Sequence, residues 1–207
     1  LWPWLALAAS PVQAPPPRQP KATYLKVPEV PEPRSLALAE LLAVRGLGEL
    51  DTDGDGHCTE VEFALAADQA LRQAGDEAWA AVDRNSDRQL DLEELAGAAA
   101  PHWRPSGKFA PPPRLWTFLW LLARHFGAAD LAKSARVSVA AMQGQVAELA
   151  WSVRFLDERK ALFDDVTGDS DIGDDGGAFG ADAWERWRAS ARERQARRRA
   201  RARSGRR

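Results

Sequence analysis

An acidic stretch that contains two glycines constrains this chain more than any other feature. It runs from Asp51 to Glu62 with the sequence DTDGDGHCTEVE. Side chains that carry oxygen stand at its first, third, fifth, ninth and twelfth positions, and these are Asp51, Asp53, Asp55, Thr59 and Glu62. A cation of the size of Ca²⁺ takes about six to eight oxygen ligands, and alternate residues of a tight loop can direct three carboxylates at one point. The spacing therefore predicts a Ca²⁺ site, with a backbone carbonyl from His57, a water-mediated contact from Thr59 and both oxygens of Glu62.

The alternative for this stretch is an acidic surface turn without a ligand. Three carboxylates within five residues repel one another when no cation lies between them. Gly56 stands at the sixth position, where the sharp turn of such a loop needs a positive φ. The agreement of the glycine and the final glutamate with the spacing favours the cation site.

A second copy of the pattern follows at Asp83 to Glu94, with the sequence DRNSDRQLDLEE. Its candidate ligands are Asp83, Asn85, Asp87, Gln89, Asp91 and Glu94. Arg88 stands where a glycine is expected, and a left-handed conformation costs a non-glycine residue about 1–2 kcal/mol. We therefore expect a weaker second site that keeps all its ligands, the alternative being a degenerate loop that binds no ion.

With these two spacings the chain resembles the EF-hand superfamily, in the layout of calmodulin-like and sarcoplasmic calcium-binding proteins. The resemblance is strongest over residues 40–100 and extends weakly to about residue 190. It implies an all-α fold of helix–loop–helix units, paired face to face in two lobes, with disordered or extended termini. It also implies Ca²⁺ binding at the matched positions only.

Residues 35–104 are predicted to form the calcium-binding pair of units. Four helices are expected there, at 36–50, 60–73, 76–82 and 92–100. Ser35 is the expected N-cap of the first helix, and Gly75 and Pro101 are expected to interrupt or end helices. Residues 105–114, with three consecutive prolines, are predicted to be a linker.

Residues 115–190 are predicted to form a degenerate second lobe, because apolar residues recur there at the positions that frame the first two loops. Around 130–141 this frame consists of Phe126, Ala129, Val137 and Met142. Only Asp130, Ser134 and Ser138 remain as possible ligands of that loop, and Ala141 holds the final position. We expect no Ca²⁺ there.

A fourth loop is predicted at 167–183, framed by Phe163, Val166, Phe179 and Trp184. It is longer than the usual 12 residues, and Ala183 stands where the final glutamate belongs. Its acidic residues are Asp169, Asp171, Asp174 and Asp175. A glycine-rich acidic loop without a specific ion is favoured over weak cation binding.

Aromatic residues are concentrated in this second lobe, and they include Trp116, Phe118, Trp120, Phe126, Trp151, Phe155, Trp184 and Trp187. A core between four helices is the favoured interpretation. The alternative is a groove that binds the amphipathic helix of a target protein or peptide.

The N-terminal residues 1–14 resemble a secretory leader, with a short apolar run and a small-residue pattern at 12–14. The run is too short to span a bilayer, and no transmembrane segment is expected. This leader predicts a location in the secretory pathway or outside the cell, with an organelle lumen or the cytoplasm as alternatives. Residues 15–34 are rich in proline and are predicted to be an extended linker.

Charge is distributed unevenly along the chain. Residues 191–207 carry nine arginines and one glutamate, a balance of +8, although the whole chain has a formal net charge of −2. Such a tail can bind an anionic surface, either a membrane or a nucleic acid, and the alternative is a solvated tail. Cys58 is the single cysteine, so no disulfide can form within the chain. Its position inside the first acidic loop predicts that it serves there as a small apolar residue.

The sequence contains no glycine loop that cradles phosphate, no zinc-ligand spacing and no nucleophile motif. We therefore expect a non-enzymatic Ca²⁺ buffer or sensor. The alternative is a calcium-modulated adaptor that docks on an anionic surface through its arginine-rich tail.

Overall fold

The computed structural model describes residues 27–128, 136–168 and 177–204. The fold is mainly helical, as predicted, with four very short strands in the described ranges. The helices are α1 (Leu38–Leu42), α2 (Glu60–Val82), α3 (Leu92–Ala99), α4 (Pro113–Ala128), α5 (Val139–Ala150), α6 (Val153–Thr167) and α7 (Ala181–Ser204), with 3₁₀ turns at Leu47–Glu49 and Ala100–His102. The strands are β1 (His57–Thr59), β2 (Gln89–Leu90), β3 (Val137–Ser138) and β4 (Ala178–Gly180).

Helix α2 is continuous over 23 residues. The prediction that Gly75 interrupts the helix is therefore wrong. A side chain at position 75 would crowd α5, because an added Cβ would lie 3.2 Å from Val146 Cγ2. Gly75 therefore serves close packing between helices. At 1.5 Å per residue the helix is about 35 Å long, and it carries one acidic loop at each end.

The two acidic loops do not pair with each other in the way that face-to-face units would require. Strand β1 of the first acidic loop pairs with β4, with Cys58 opposite Phe179. Strand β2 of the second acidic loop pairs with β3, with Leu90 opposite Val137. The continuous helix α2 holds the two acidic loops at its opposite ends, which keeps them from pairing with each other. Each acidic loop pairs instead with a loop of the predicted degenerate region.

The predicted division into two lobes is not observed either. One core of buried residues extends from Leu36 to Trp187, and α2 packs against α1, α4, α5 and α6. The predicted linker at 105–114 contributes Phe109 to this core, in contact with Trp103 and Trp116. Several helices therefore pack around α2, and α7 joins the same body through α1 and α6.

The first helix is shorter than predicted, and Ser35 is not its N-cap. Ala37 holds the N-cap position with a φ of +63°, and N–H groups at this end of the helix donate to a side chain of α6. The Glu158 carboxylate accepts the N–H of Leu36 at 2.9 Å and that of Leu38 at 3.1 Å. A long-range carboxylate thus caps α1, which sequence spacing does not reveal.

The described part of the proline-rich segment lies against the body. Trp116 Nε1–H donates to the carbonyl of Pro31 at 2.7 Å. Arg154 donates to the Glu32 carboxylate and to the Pro33 carbonyl. Residues 27–34 are therefore bound to α4 and α6. The predicted leader at 1–14 and the remainder of the linker lie outside the described residues.

Most aromatic side chains of the second half are buried, as the core interpretation predicted. Trp184 and Trp187 stack with ring centroids 4.8 Å apart and are at most 1% exposed. Trp116 and Trp120 are partly buried, whereas Trp151 has 76% of its surface exposed. Among the described helices, none has both the length and the apolar character needed to cross a membrane. A binding groove for a target peptide stays a prediction.

Candidate metal centre

The first acidic loop joins the 3₁₀ turn Leu47–Glu49 to the start of α2. Gly54 and Gly56 have φ angles of +76° and +87°, which lie in the left-handed region that favours glycine. The sequence predicted this role for Gly56. The second bend, at Gly54, is apparent only in the structure.

Three carboxylates of this loop converge. One oxygen each from Asp51, Asp53 and Asp55 lies within 4.8 Å of the other two. Backbone N–H groups hold these side chains in place: Gly54 donates to Asp51 Oδ1 at 2.7 Å and Gly56 to Asp51 Oδ2 at 2.9 Å. Asp53 and Asp55 each accept the N–H two residues further along the chain. Carboxylates this close repel one another, and a hard divalent cation between them would remove that repulsion.

Glu62, at the twelfth position of the loop, is 8% exposed. Its Oε1 accepts the N–H of Thr52 at 2.8 Å, and its Oε2 accepts the N–H of Thr59 at 2.9 Å. The hydroxyls of both threonines also donate to it. Hydrogen bonds from Thr59 and then from Thr52 lower the pKa of Glu62 to about 2, because they favour the ionised form. The side chain is therefore charged at neutral pH, as a cation ligand must be.

Thr59 and His57 complete the first set of candidate ligands. Thr59 is the N-cap of α2 and forms a capping box with Glu62, so the predicted water-mediated ligand is also a structural residue. The side chain of His57 is 52% exposed. This exposure agrees with a role for the backbone carbonyl of His57 alone.

Cys58 lies between these ligands and is fully buried opposite Phe179. Burial raises the pKa of its thiol to about 12, with smaller contributions from the nearby carboxylates of Glu62 and Asp51. A protonated, buried thiol is unreactive. Cys58 therefore fits the predicted apolar role.

In the second loop, Asp83 is 9% exposed. Its Oδ2 accepts the indole N–H of Trp79 at 3.2 Å and the backbone N–H of Arg88 at 3.1 Å. Its Oδ1 is buried and has no hydrogen-bond partner among the described residues. An unpaired oxygen of a buried carboxylate is costly unless it is neutralised, and a cation would satisfy it. Sequence reasoning missed the contact with Trp79.

The backbone of the second loop is strained at two positions. Arg88 has a φ of +61°, which confirms the predicted left-handed conformation. Ser86 has a φ of +58° and occupies the position that Gly54 holds in the first loop. This second strained residue was not predicted from the sequence.

The remaining candidate ligands of the second loop are less well assembled. Glu94 Oε1 accepts the N–H of Arg84 at 3.0 Å and Oε2 accepts that of Asp91 at 3.2 Å, as in the first loop. Asp87, however, forms an ion pair with Arg136, at 3.4 Å, from the chain next to β3. Asn85 contacts Asp87, and Gln89 donates its N–H to the same carboxylate. In the described part of the chain, only the first loop has three acidic ligand atoms within 4.8 Å of one another.

Neither a known protein family, nor a curated protein, nor a solved structure matches this chain. The site therefore has to be interpreted from its own geometry.

The two further loops predicted at 130–141 and 167–183 are described only in part. Val137 and Phe179 are buried in the strand pairs, as the apolar frame predicted. Ser138 serves as the N-cap of α5, where its hydroxyl accepts the N–H of Ala141. The other possible ligands of these loops lie outside the described residues, namely Asp130, Ser134, Asp169, Asp171, Asp174 and Asp175.

Proposed function

We propose that this chain is a non-enzymatic Ca²⁺-binding protein of the EF-hand type, with a stronger site at 51–62 and a weaker one at 83–94. The observation that carries the proposal is the convergence of Asp51, Asp53 and Asp55 within 4.8 Å. Glu62 stands at the twelfth position, where a bidentate carboxylate closes the oxygen shell of such loops. The buried, unpartnered Oδ1 of Asp83 supports the second site.

The difference between the two sites follows from their contacts. In the first loop, both tight bends are at glycine. In the second loop they are at Ser86 and Arg88, and Arg136 competes for the Asp87 carboxylate. Strain and a competing positive charge both reduce cation affinity.

A buffer or structural role is favoured over that of a sensor. A sensor exposes an apolar groove when its helices open, but α2 is already packed by α1, α3, α4, α5 and α6 in one continuous core. Among the described residues, the large apolar side chains that remain exposed are Val44, Val61, Leu65, Trp103, Trp151 and Val153. We expect Ca²⁺ to stabilise this body without opening it.

Calorimetric titration of the full chain with Ca²⁺ tests the proposal. We expect two binding steps, the tighter of which is lost in Glu62→Gln. The matched control is Glu60→Gln, because Glu60 is an exposed acid in the same first turn of α2, and it should keep both steps. Absence of binding heat, together with an unchanged melting temperature at about 1 mM Ca²⁺, a concentration at which even weak extracellular modules bind, would reject the proposed function.

A fluorescent apolar dye separates buffer from sensor. The buffer version predicts equal dye binding with Ca²⁺ and with chelator. A Ca²⁺-dependent rise in dye fluorescence would instead identify a sensor, even if the titration shows two sites.

A further inference from the structure

Helix α7 has two parts with different surroundings. Its first part is fixed to the body by the buried Trp184 and Trp187. Arg188 and Arg192 both donate to the carbonyl of Ala43, and Gln195 donates to Glu40. From there the helix continues to Ser204. In this second part, residues 196–204, positions 196, 197 and 200 are exposed.

Most of the positive charge of the second part has no acidic residue near it in the sequence of the helix. Glu193 is the last acidic residue of the chain, and eight arginines follow it. Arg197 pairs with Glu193, four residues before it. For the arginines after position 197, the residues three and four positions before them include no acid, so the i,i+3 and i,i+4 pairs that stabilise exposed helices cannot form. The positive charge is therefore available to an anionic partner outside the helix.

The arginines occupy two opposite sides of the helix. At about 100° per residue, positions 194, 197, 198 and 201 fall within one arc of about 100°. Positions 192, 199 and 203 fall on the other side of the helix. The mid-points of the two groups of positions are about 170° apart by the same geometry. The non-arginine positions in 196–204 are Ala196, Ala200, Ala202 and Ser204. This part of the helix therefore has two basic sides and no large apolar face.

We propose that residues 196–204 of α7 bind in the major groove of duplex DNA. A helix that lies on an anionic membrane needs one apolar face and one basic face, which this segment does not have. A groove flanked by two phosphate strands matches basic residues on opposite sides. The major groove of B-DNA is about 12 Å wide and admits a helix, whereas the corresponding groove of A-form RNA is narrow. This inference is independent of Ca²⁺ binding.

Fluorescence anisotropy of the full chain with a labelled 20-base-pair DNA duplex tests this assignment, with chelator present throughout. The same sequence as duplex RNA and vesicles of phosphatidylserine and phosphatidylcholine are the competing ligands. If four arginines contact phosphates, affinity should fall on the order of 100-fold between 50 and 200 mM salt, since each contact adds about 0.9 to the salt slope. DNA should bind more tightly than either competitor.

Two double variants test the two sides separately. Arg198→Gln with Arg201→Gln changes one side, and Arg199→Gln with Arg203→Gln changes the other. Each should reduce the salt slope by about two and weaken binding on the order of tenfold at 200 mM salt. The corresponding lysine variants keep the charge and should retain the slope. Circular dichroism checks that each variant keeps its helix.

Several results would overturn the assignment. If only one side affects binding, the ligand contacts a flat surface and not a groove. If vesicles bind as tightly as DNA, the partner is a membrane. If duplex RNA binds as tightly as duplex DNA, insertion into the major groove is wrong. Because all measurements are made with chelator, a failure of the proposed Ca²⁺ sites leaves these results unaffected.

Discussion

The hydrogen bond between Trp79 and Asp83 makes a quantitative prediction about the second loop. The indole N–H donates to Asp83 Oδ2 at 3.2 Å, and both residues are 9% exposed. A hydrogen bond to a charged group contributes about 1.5–3 kcal/mol to stability. Replacing Trp79 by Phe removes the donor and also loses packing beside a cavity of about 220 Å³ lined by Trp79, Val139 and Met142. A single substitution therefore mixes two effects.

A double-mutant cycle separates the hydrogen bond from the packing. The variants are Trp79→Phe, Asp83→Ala and the combination, each unfolded by urea in the presence of chelator. The structure predicts a coupling energy of about 1.5–3 kcal/mol. A difference of 1 kcal/mol corresponds to about 2–4 °C in melting temperature for a chain of this size, so thermal melts can check the result. Trp151→Phe is the matched control, because Trp151 is 76% exposed and should change stability little.

A coupling energy below about 0.5 kcal/mol would refute the reasoning, since pairs without direct contact reach that level. The same Trp79→Phe variant carries a second expectation in calcium titrations. It should weaken the proposed second site, because Asp83 Oδ2 loses one of its two donors and keeps the N–H of Arg88. The first site lies at the other end of α2 and should keep its affinity.

Three shorter predictions concern other features of the body. Arg88→Gly should stabilise the chelated protein by roughly 1 kcal/mol, because it relieves a left-handed conformation at φ +61°; urea unfolding measures this, and a loss of stability would contradict it. Arg136→Gln should tighten Ca²⁺ binding at the second loop by up to about fivefold, since an exposed ion pair contributes at most about 1 kcal/mol; calorimetry with unchanged affinity would show that the ion pair with Asp87 does not compete. Burial lowers the pKa of His102 below its usual 6.5, so the folded state binds this proton at a lower pH than the unfolded chain does. Stability relative to His102→Gln should therefore fall as the pH drops below 6.5. An NMR titration midpoint at or above 6.5 would exclude that effect.

The parts of the site that depend on local spacing could be predicted from the sequence. Asp51, Asp53 and Asp55 converge because their positions alternate within one tight loop, and Gly56 adopts the expected positive φ. The left-handed conformation of Arg88 was predictable for the same reason. Local geometry of this kind depends on few residues, all of them adjacent in the chain.

The arrangement of the loops relative to one another could not be predicted. It depends on whether the segment 60–82 forms one helix or two, and Gly75 favours two by propensity. The decision is made by a distant contact, the close approach of Val146 to Gly75. The contacts of Asp83 with Trp79 and of Asp87 with Arg136 belong to the same class. Each depends on a neighbour that only the complete fold brings into place.

This arrangement also determines how the two proposed sites can communicate. A direct ladder between the acidic loops would let one ion order both, but here β1 pairs with β4 and β2 pairs with β3. The direct covalent connection between the loops is α2, a rigid helix about 35 Å long, and coupling requires an element with two arrangements that both sites bias. We therefore expect independent binding: Glu94→Gln should remove the weaker step and leave the affinity of the first site unchanged. A shift of the first-site affinity by more than about fivefold, the lower end of typical coupling, would mean that the helices around α2 rearrange when an ion binds.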